Sequence, residues 1–181
     1  MFGLAGRLKK HREDRLDRLA RAIDAVGAQD QQVLDQSLLA DRLKREGALR
    51  LYQVCNSFVE GVNSRLSEPA VILAPFEWEL DNFHDGQTAF FQISLRGRLL
   101  QVEFNSTEEM YSTEDFRKAY VLHGSVRSFN QESLEHNRMG EQRIFCCREK
   151  DEPEWHYFDA RSYRTGLIDT DYLAAELERL L

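Results

Sequence analysis

Long hydrophobic runs are missing from this 181-residue chain. The longest apolar stretch, Ala70 to Phe76, is interrupted by Pro75 and falls far short of the roughly 20 residues a membrane-spanning helix needs. A secretory leader is not read at the start either, because Phe2, Leu4 and Leu8 are scattered among glycines with no continuous apolar segment behind them; a cytoplasmic location is the expectation. Cysteine is scarce. The three present are Cys55, Cys146 and Cys147, an odd number with two adjacent, which argues against a disulfide framework and leaves packing as the source of stability. The five histidines, at 11, 84, 123, 136 and 156, form no short-spaced pairs with one another or with the cysteines, so no metal site is read from spacing. Phosphate-cradling glycine loops and the strained nucleophile turn are absent as well, and no cofactor is expected.

What is present divides by composition near residue 50. Of the 19 Phe, Tyr and Trp residues only Phe2 precedes Leu51, and no proline precedes Pro69. The first 50 residues carry 11 Lys or Arg against 8 Asp or Glu, although the whole chain is net −7. Arg7 to Arg21 is the most basic piece, with seven cations against Glu13, Asp14 and Asp17. Strong helix formers run from Leu8, and Leu16, Leu19, Ile23 and Val26 recur at the three-and-four spacing of a helix-pairing seam. Gly27 is expected to break or kink this helix. Val33, Leu34, Leu38, Leu39 and Leu43 build a second stripe after Asp30, and Gly47 is read as the next break. From Ala48 to Leu66 the apolar face is continuous, through Leu51, Cys55, Phe58, Val59 and Val62.

Beyond Pro69 the period changes to two. Phe76, Trp78 and Leu80 alternate with Glu77, Glu79 and Asp81, the pattern of a half-buried antiparallel strand. Phe91, Ile93 and Leu95 alternate next, followed by the turn Arg96-Gly97-Arg98 and by Leu100, Val102 and Phe104, which is a hairpin. A polar stretch over 105–118, with Ser112 or Thr113 capping a short helical turn, precedes a strand from Ala119 to Phe129. Arg143 to Glu149 and Glu154 to Asp159 form a second hairpin about Lys150 to Pro153. After a loop containing Gly166, Asp169 or Thr170 caps a closing helix striped by Leu173, Leu177, Leu180 and Leu181. The fold class is therefore α+β: N-terminal helices, an antiparallel meander of five or six strands, and a C-terminal helix on the sheet. Residues 1–46 are read as a charged helical extension and 47–181 as a single domain.

Several residues could carry chemistry. With four connecting residues in the last hairpin, Cys147 falls opposite His156, and an imidazole beside a thiol can create a nucleophile; the flanking Phe145 and Phe158 favour an inert, buried cysteine instead. Glu77, Glu79 and Asp81, with Glu103, form an acidic stripe that a wet sheet face explains as well as a cation site does. His84 lies in the turn Asp81-Asn82-Phe83-His84-Asp85-Gly86, and His123 alternates with Ser125 and Arg127, a set able to meet an anion or simply water. The basic N-terminal segment can meet phosphates, but the acids within it and the acidic remainder weaken a nucleic-acid role. The extra helical material carries the functional expectation. Its stripe at Leu16, Leu19, Ile23 and Val26 must be covered by something, so a protein-binding or assembly module that self-associates through these residues is the leading reading. The alternative is a small-molecule site or enzyme with a pocket between the sheet and the long helix, drawing on His84, His123, Arg127, Cys147 and His156.

Overall fold

The computed structural model describes residues 3–114, 116–136, 139–150 and 152–181. Helix α1 spans Gly3–Asn63. It is followed by strand β1 (Ile72–Ala74), a 3₁₀ turn at Leu80–Asn82, β2 (Ala89–Leu95), β3 (Arg98–Tyr111), β4 (Tyr120–Asn130), helix α2 (Gln131–Glu135), β5 (Gly140–Glu149), β6 (Glu152–Asp159), β7 (Arg164–Leu167) and helix α3 (Thr170–Glu178). The seven strands form one sheet in sequence order, each antiparallel to the next. No helix among the described residues is long and apolar enough to cross a membrane. The chain falls into two compact units, Met1–Leu39 and Ala40–Leu181.

In the second unit one face of the sheet forms the core. Phe91, Ile93, Leu100, Val102, Phe104, Leu122, Ile144 and Cys146 are wholly buried there, as are Leu43, Ala48, Leu51 and Cys55 of α1. The helix can approach closely because position 47 is glycine: an added Cβ would lie 2.6 Å from Cys146 Sγ. At the same point Trp155 Nε1 donates to the Gly47 carbonyl at 2.7 Å. Rings continue the contact along the helix, with Tyr52 edge-on to Phe91 at 5.5 Å and Phe91 edge-on to Phe104 at 5.4 Å. Helix α3 covers the remainder of this face. Asp169 caps it by accepting from Tyr172 N at 2.8 Å, Tyr172 stacks on Tyr157 at 5.0 Å, and its hydroxyl donates to Gln142 Oε1 at 2.9 Å.

The α+β class and the helix-sheet-helix order agree with expectation; several details do not. Among the described residues there are seven strands rather than five or six. Gly27 does not break α1, since an interior glycine costs only about 1 kcal/mol relative to alanine, and Gly47 is a close-packing position rather than a break. Helix α1 ends at Asn63, short of Leu66, because the Asn63 side chain takes over the outgoing backbone: its Oδ1 accepts from Ala70 N and Val71 N, both at 3.0 Å, and its Nδ2 donates to the Val71 carbonyl at 2.7 Å. Phe76 to Asp81 is not a strand. Phe76 is 85% exposed, and Asn82 Oδ1 accepts from Glu79 N at 2.7 Å to close the 3₁₀ turn, so Glu77, Glu79 and Asp81 do not line a sheet face. Strand β3 continues to Tyr111. Ser112 to Arg117 contains no helix among the described residues; Thr113 and Phe116 instead close a turn through Thr113 N to Phe116 O at 2.9 Å and Phe116 N to Thr113 Oγ1 at 3.1 Å. The expected loop at Gly166 is strand β7.

Candidate functional site

Two groups of candidate residues take definite form. The first belongs to the unit Met1–Leu39. Leu16, Leu19, Ile23 and Val26 lie on helix, as their spacing implies, and Val33, Leu34 and Leu38 extend the row; all seven are between 52 and 61% exposed. The flanking charge changes sign along this unit. Residues 7–21 hold seven cations and three carboxylates, whereas residues 22–39 hold Asp24, Asp30 and Asp35 and no lysine or arginine.

The second is the sheet face turned away from α1, where register sets out the polar candidates. His123 stands between Asn105 and Phe145, and Arg127 between Gln101 and Glu141. The Arg127 guanidinium is held on both sides, with Nε donating to Glu141 Oε1 at 3.0 Å and Nη1 to Glu103 Oε2 at 3.4 Å, so its charge is already matched by carboxylates. Burial, and next the nearby Arg143, push the His123 pKa below the ordinary histidine value, which leaves its ring neutral at neutral pH. Neither property suits an anion site. His84 is exposed in the loop before β2 and is not brought to this face.

The last hairpin corrects an expected contact. Glu149 pairs with Glu152, so two residues rather than four connect β5 to β6; Cys147 consequently faces Glu154, and His156 faces Phe145. Cys147 sits in a buried cluster with Phe116, Tyr120, Phe145 and Phe158, where the Phe116 and Phe145 rings stack at 4.3 Å. Burial pushes its thiol up to about 12, so it is protonated near neutrality and behaves as a small apolar side chain.

His156 has different company. Glu149, Glu154 and His156 each place one ligand-type atom within 4.8 Å of the other two, and the Lys118 ammonium is bound to Glu149. Glu154 Oε2 is 3.0 Å from His156 Nε2, yet Nε2 is buried and has no hydrogen-bond partner among the described residues. Burial first, then Lys118, lower the His156 pKa, and these outweigh the opposing pull of Glu154 and Glu149. Glu149, Glu154 and Lys118 were not singled out from sequence. They come from two strands and a loop, and only the two-residue connection of the hairpin brings them to His156.

Wholly buried side chains of the core lie between the sheet and α1. A cleft of about 1040 Å³ lies elsewhere, lined among others by Asn130, Glu141, Arg143, Asp159, Glu176 and Arg179; His84, His123, Arg127, Cys147 and His156 are not in its wall. Within it Glu176 is bound by Arg179 and sits 3.5 Å from the Ser128 hydroxyl. Compared with known proteins, the chain matches no family model, no curated protein and no solved structure.

Proposed function

We propose that the protein is a homotypic assembly module in which the N-terminal part of α1 pairs with the same segment of a second copy. The observation that carries this reading is the row of seven apolar side chains from Leu16 to Leu38, each more than half exposed. Fully burying a side chain of this size is worth about 1.5–3 kcal/mol, so covering the remaining half of each contributes roughly 1 kcal/mol. Two copies together would gain roughly 14 kcal/mol, against an association cost of about 4–15 kcal/mol. The pairing is thus expected to depend on concentration rather than to be permanent.

The sign change along the unit favours an antiparallel pair. An antiparallel alignment that covers the whole row, Leu16 against Leu38, brings Arg18 and Arg21 of one copy beside Asp35 of the other, whereas parallel alignment sets like charge on like. Light scattering of the full chain over a range of concentrations tests the proposal. A mass rising from 21.2 kDa to twice that value is expected, with the dimer lost when Leu19→Glu and Ile23→Glu are combined. Added salt should weaken the antiparallel pair, and would strengthen a parallel one by screening its repulsion. A monomer at every concentration, or a dimer indifferent to both substitutions, overturns the reading.

A further inference from the structure

On the face away from α1, His156 is only 7% exposed, and its Nε2 has no hydrogen-bond partner among the described residues. A buried ring nitrogen left in that state is costly, and here it opens toward two carboxylates. The position of Glu154 is informative: its Oε2 is 3.0 Å from Nε2. Two ligands of one ion stand in this relation. With metal–ligand bonds of about 2.0–2.2 Å, neighbouring donor atoms lie roughly 3–3.5 Å apart, and each lone pair points at the ion rather than at the other donor. Glu149 completes a set of three whose ligand atoms lie within 4.8 Å of one another. Separations within that limit shrink to the roughly 3–3.5 Å of bound ligands by side-chain adjustment, which Glu149, with a side chain 40% exposed, can make.

We propose that Glu149, Glu154 and His156 form a binding site for a divalent first-row transition cation of the zinc type. One imidazole with two carboxylates favours such an ion over calcium or magnesium, which prefer all-oxygen shells. Lys118 competes for the site. Its ammonium holds Glu149, and its side chain is 51% exposed, so it can withdraw into water when a cation takes its place. Three protein ligands leave the remaining coordination to solvent. Paired Cys and His at short spacing, the usual zinc signature, do not mark this arrangement, because its ligands lie on two strands and include only one histidine.

The test is zinc binding to the full chain, measured by competition with a chromophoric chelator, with cobalt absorption reporting an oxygen-and-nitrogen ligand field. One ion per chain is expected. Glu149→Gln and Glu154→Gln should each weaken binding at least tenfold, and Lys118→Met should tighten it, a gain that a purely structural ion-pair network would not give. His156→Gln should abolish binding, with circular dichroism reporting its fold; if that variant does not fold, the two glutamate variants decide, since their side chains are 40% and 31% exposed. The proposal is overturned if zinc does not bind, if binding survives both glutamate substitutions unchanged, or if magnesium or calcium binds more tightly than zinc.

Discussion

The approach of α1 to β5 permits a test in which two substitutions, each harmful alone, compensate one another. A Cβ at Gly47 would stand 2.6 Å from Cys146 Sγ, 3.3 Å from Leu122 Cδ1 and 3.5 Å from Pro153 Cβ. Cys146 and Leu122 are both 0% exposed, so neither can step into solvent to make room. Gly47→Ala therefore sets two effects against each other: alanine favours the helix by about 1 kcal/mol, while an extra methyl in a filled core costs about 1–3 kcal/mol. A net loss of about 1 kcal/mol is expected. Cys146→Ala alone removes the sulfur and leaves a small cavity, at a cost of about 1 kcal/mol. In the double variant the new methyl occupies the space the sulfur has left, so the steric cost goes and the helix gain stays. The pair should match the parent protein to within about 0.5–1 kcal/mol, a coupling of about 2 kcal/mol. Urea unfolding of the four proteins, compared at constant slope, measures this. Losses that simply add, to within about 0.5 kcal/mol, would refute the contact. Gly27→Ala is the internal reference: nothing lies within 4 Å of its added Cβ, so it should not lower the urea midpoint.

Two further outcomes follow from buried groups. All three thiols are buried, and burial raises Cys55 to about 12, Cys147 to about 12 and Cys146 well above its ordinary value; a chromogenic thiol reagent at mildly alkaline pH should find none in the native protein and three in denaturant, and fast native reaction of any one would contradict the core described here. Lys44 is 3% exposed and pairs with Asp85 at 3.0 Å; burial of Asp85 acts to raise its pKa, but the Ser106 hydroxyl, Lys44 and the Gly86 N–H outweigh it and hold the carboxyl below its usual value. That stabilisation is complete above the ordinary carboxylate pKa and is lost as pH falls through the lower folded value, so Asp85→Asn should lower stability near neutrality and flatten the acid limb of a stability–pH curve; an unchanged acid limb would sink the assignment.

Where alternation coincided with burial, the fold was legible. Phe91 and Ile93 pair with Val102 and Leu100 across β2 and β3, and all four are wholly buried, so the pattern and the physics agree. Phe76, Trp78 and Leu80 alternate just as regularly, but Pro75 and the 3₁₀ turn at Leu80–Asn82 take that segment off the sheet, and the strand lies upstream at Ile72–Ala74. Strand β7 has four residues, Arg164–Leu167, none of them buried, and so carries little signal of either period. Glycine misled for a related reason. One cost of about 1 kcal/mol cannot end a helix of 61 residues, and Gly47 is explained by the sulfur it faces rather than by a turn.

The polar site shows which part of a strand prediction survives an error in loop length. Four residues in the last turn would pair Cys147 with His156; with two, Cys147 meets Glu154 and His156 meets Phe145. A change of two residues moves every cross-strand partner yet leaves each side chain on its own face, whereas a change of one would have turned them all over. Cys147 and His156 therefore do share a face, as their alternation implied, but not a contact. The thiol goes to the aromatic cluster, and the imidazole goes to Glu154 and Glu149. Those carboxylates stand near a hairpin end, where charge ordinarily means exposure, and their meaning depends on a buried imidazole that reaches them only through the register.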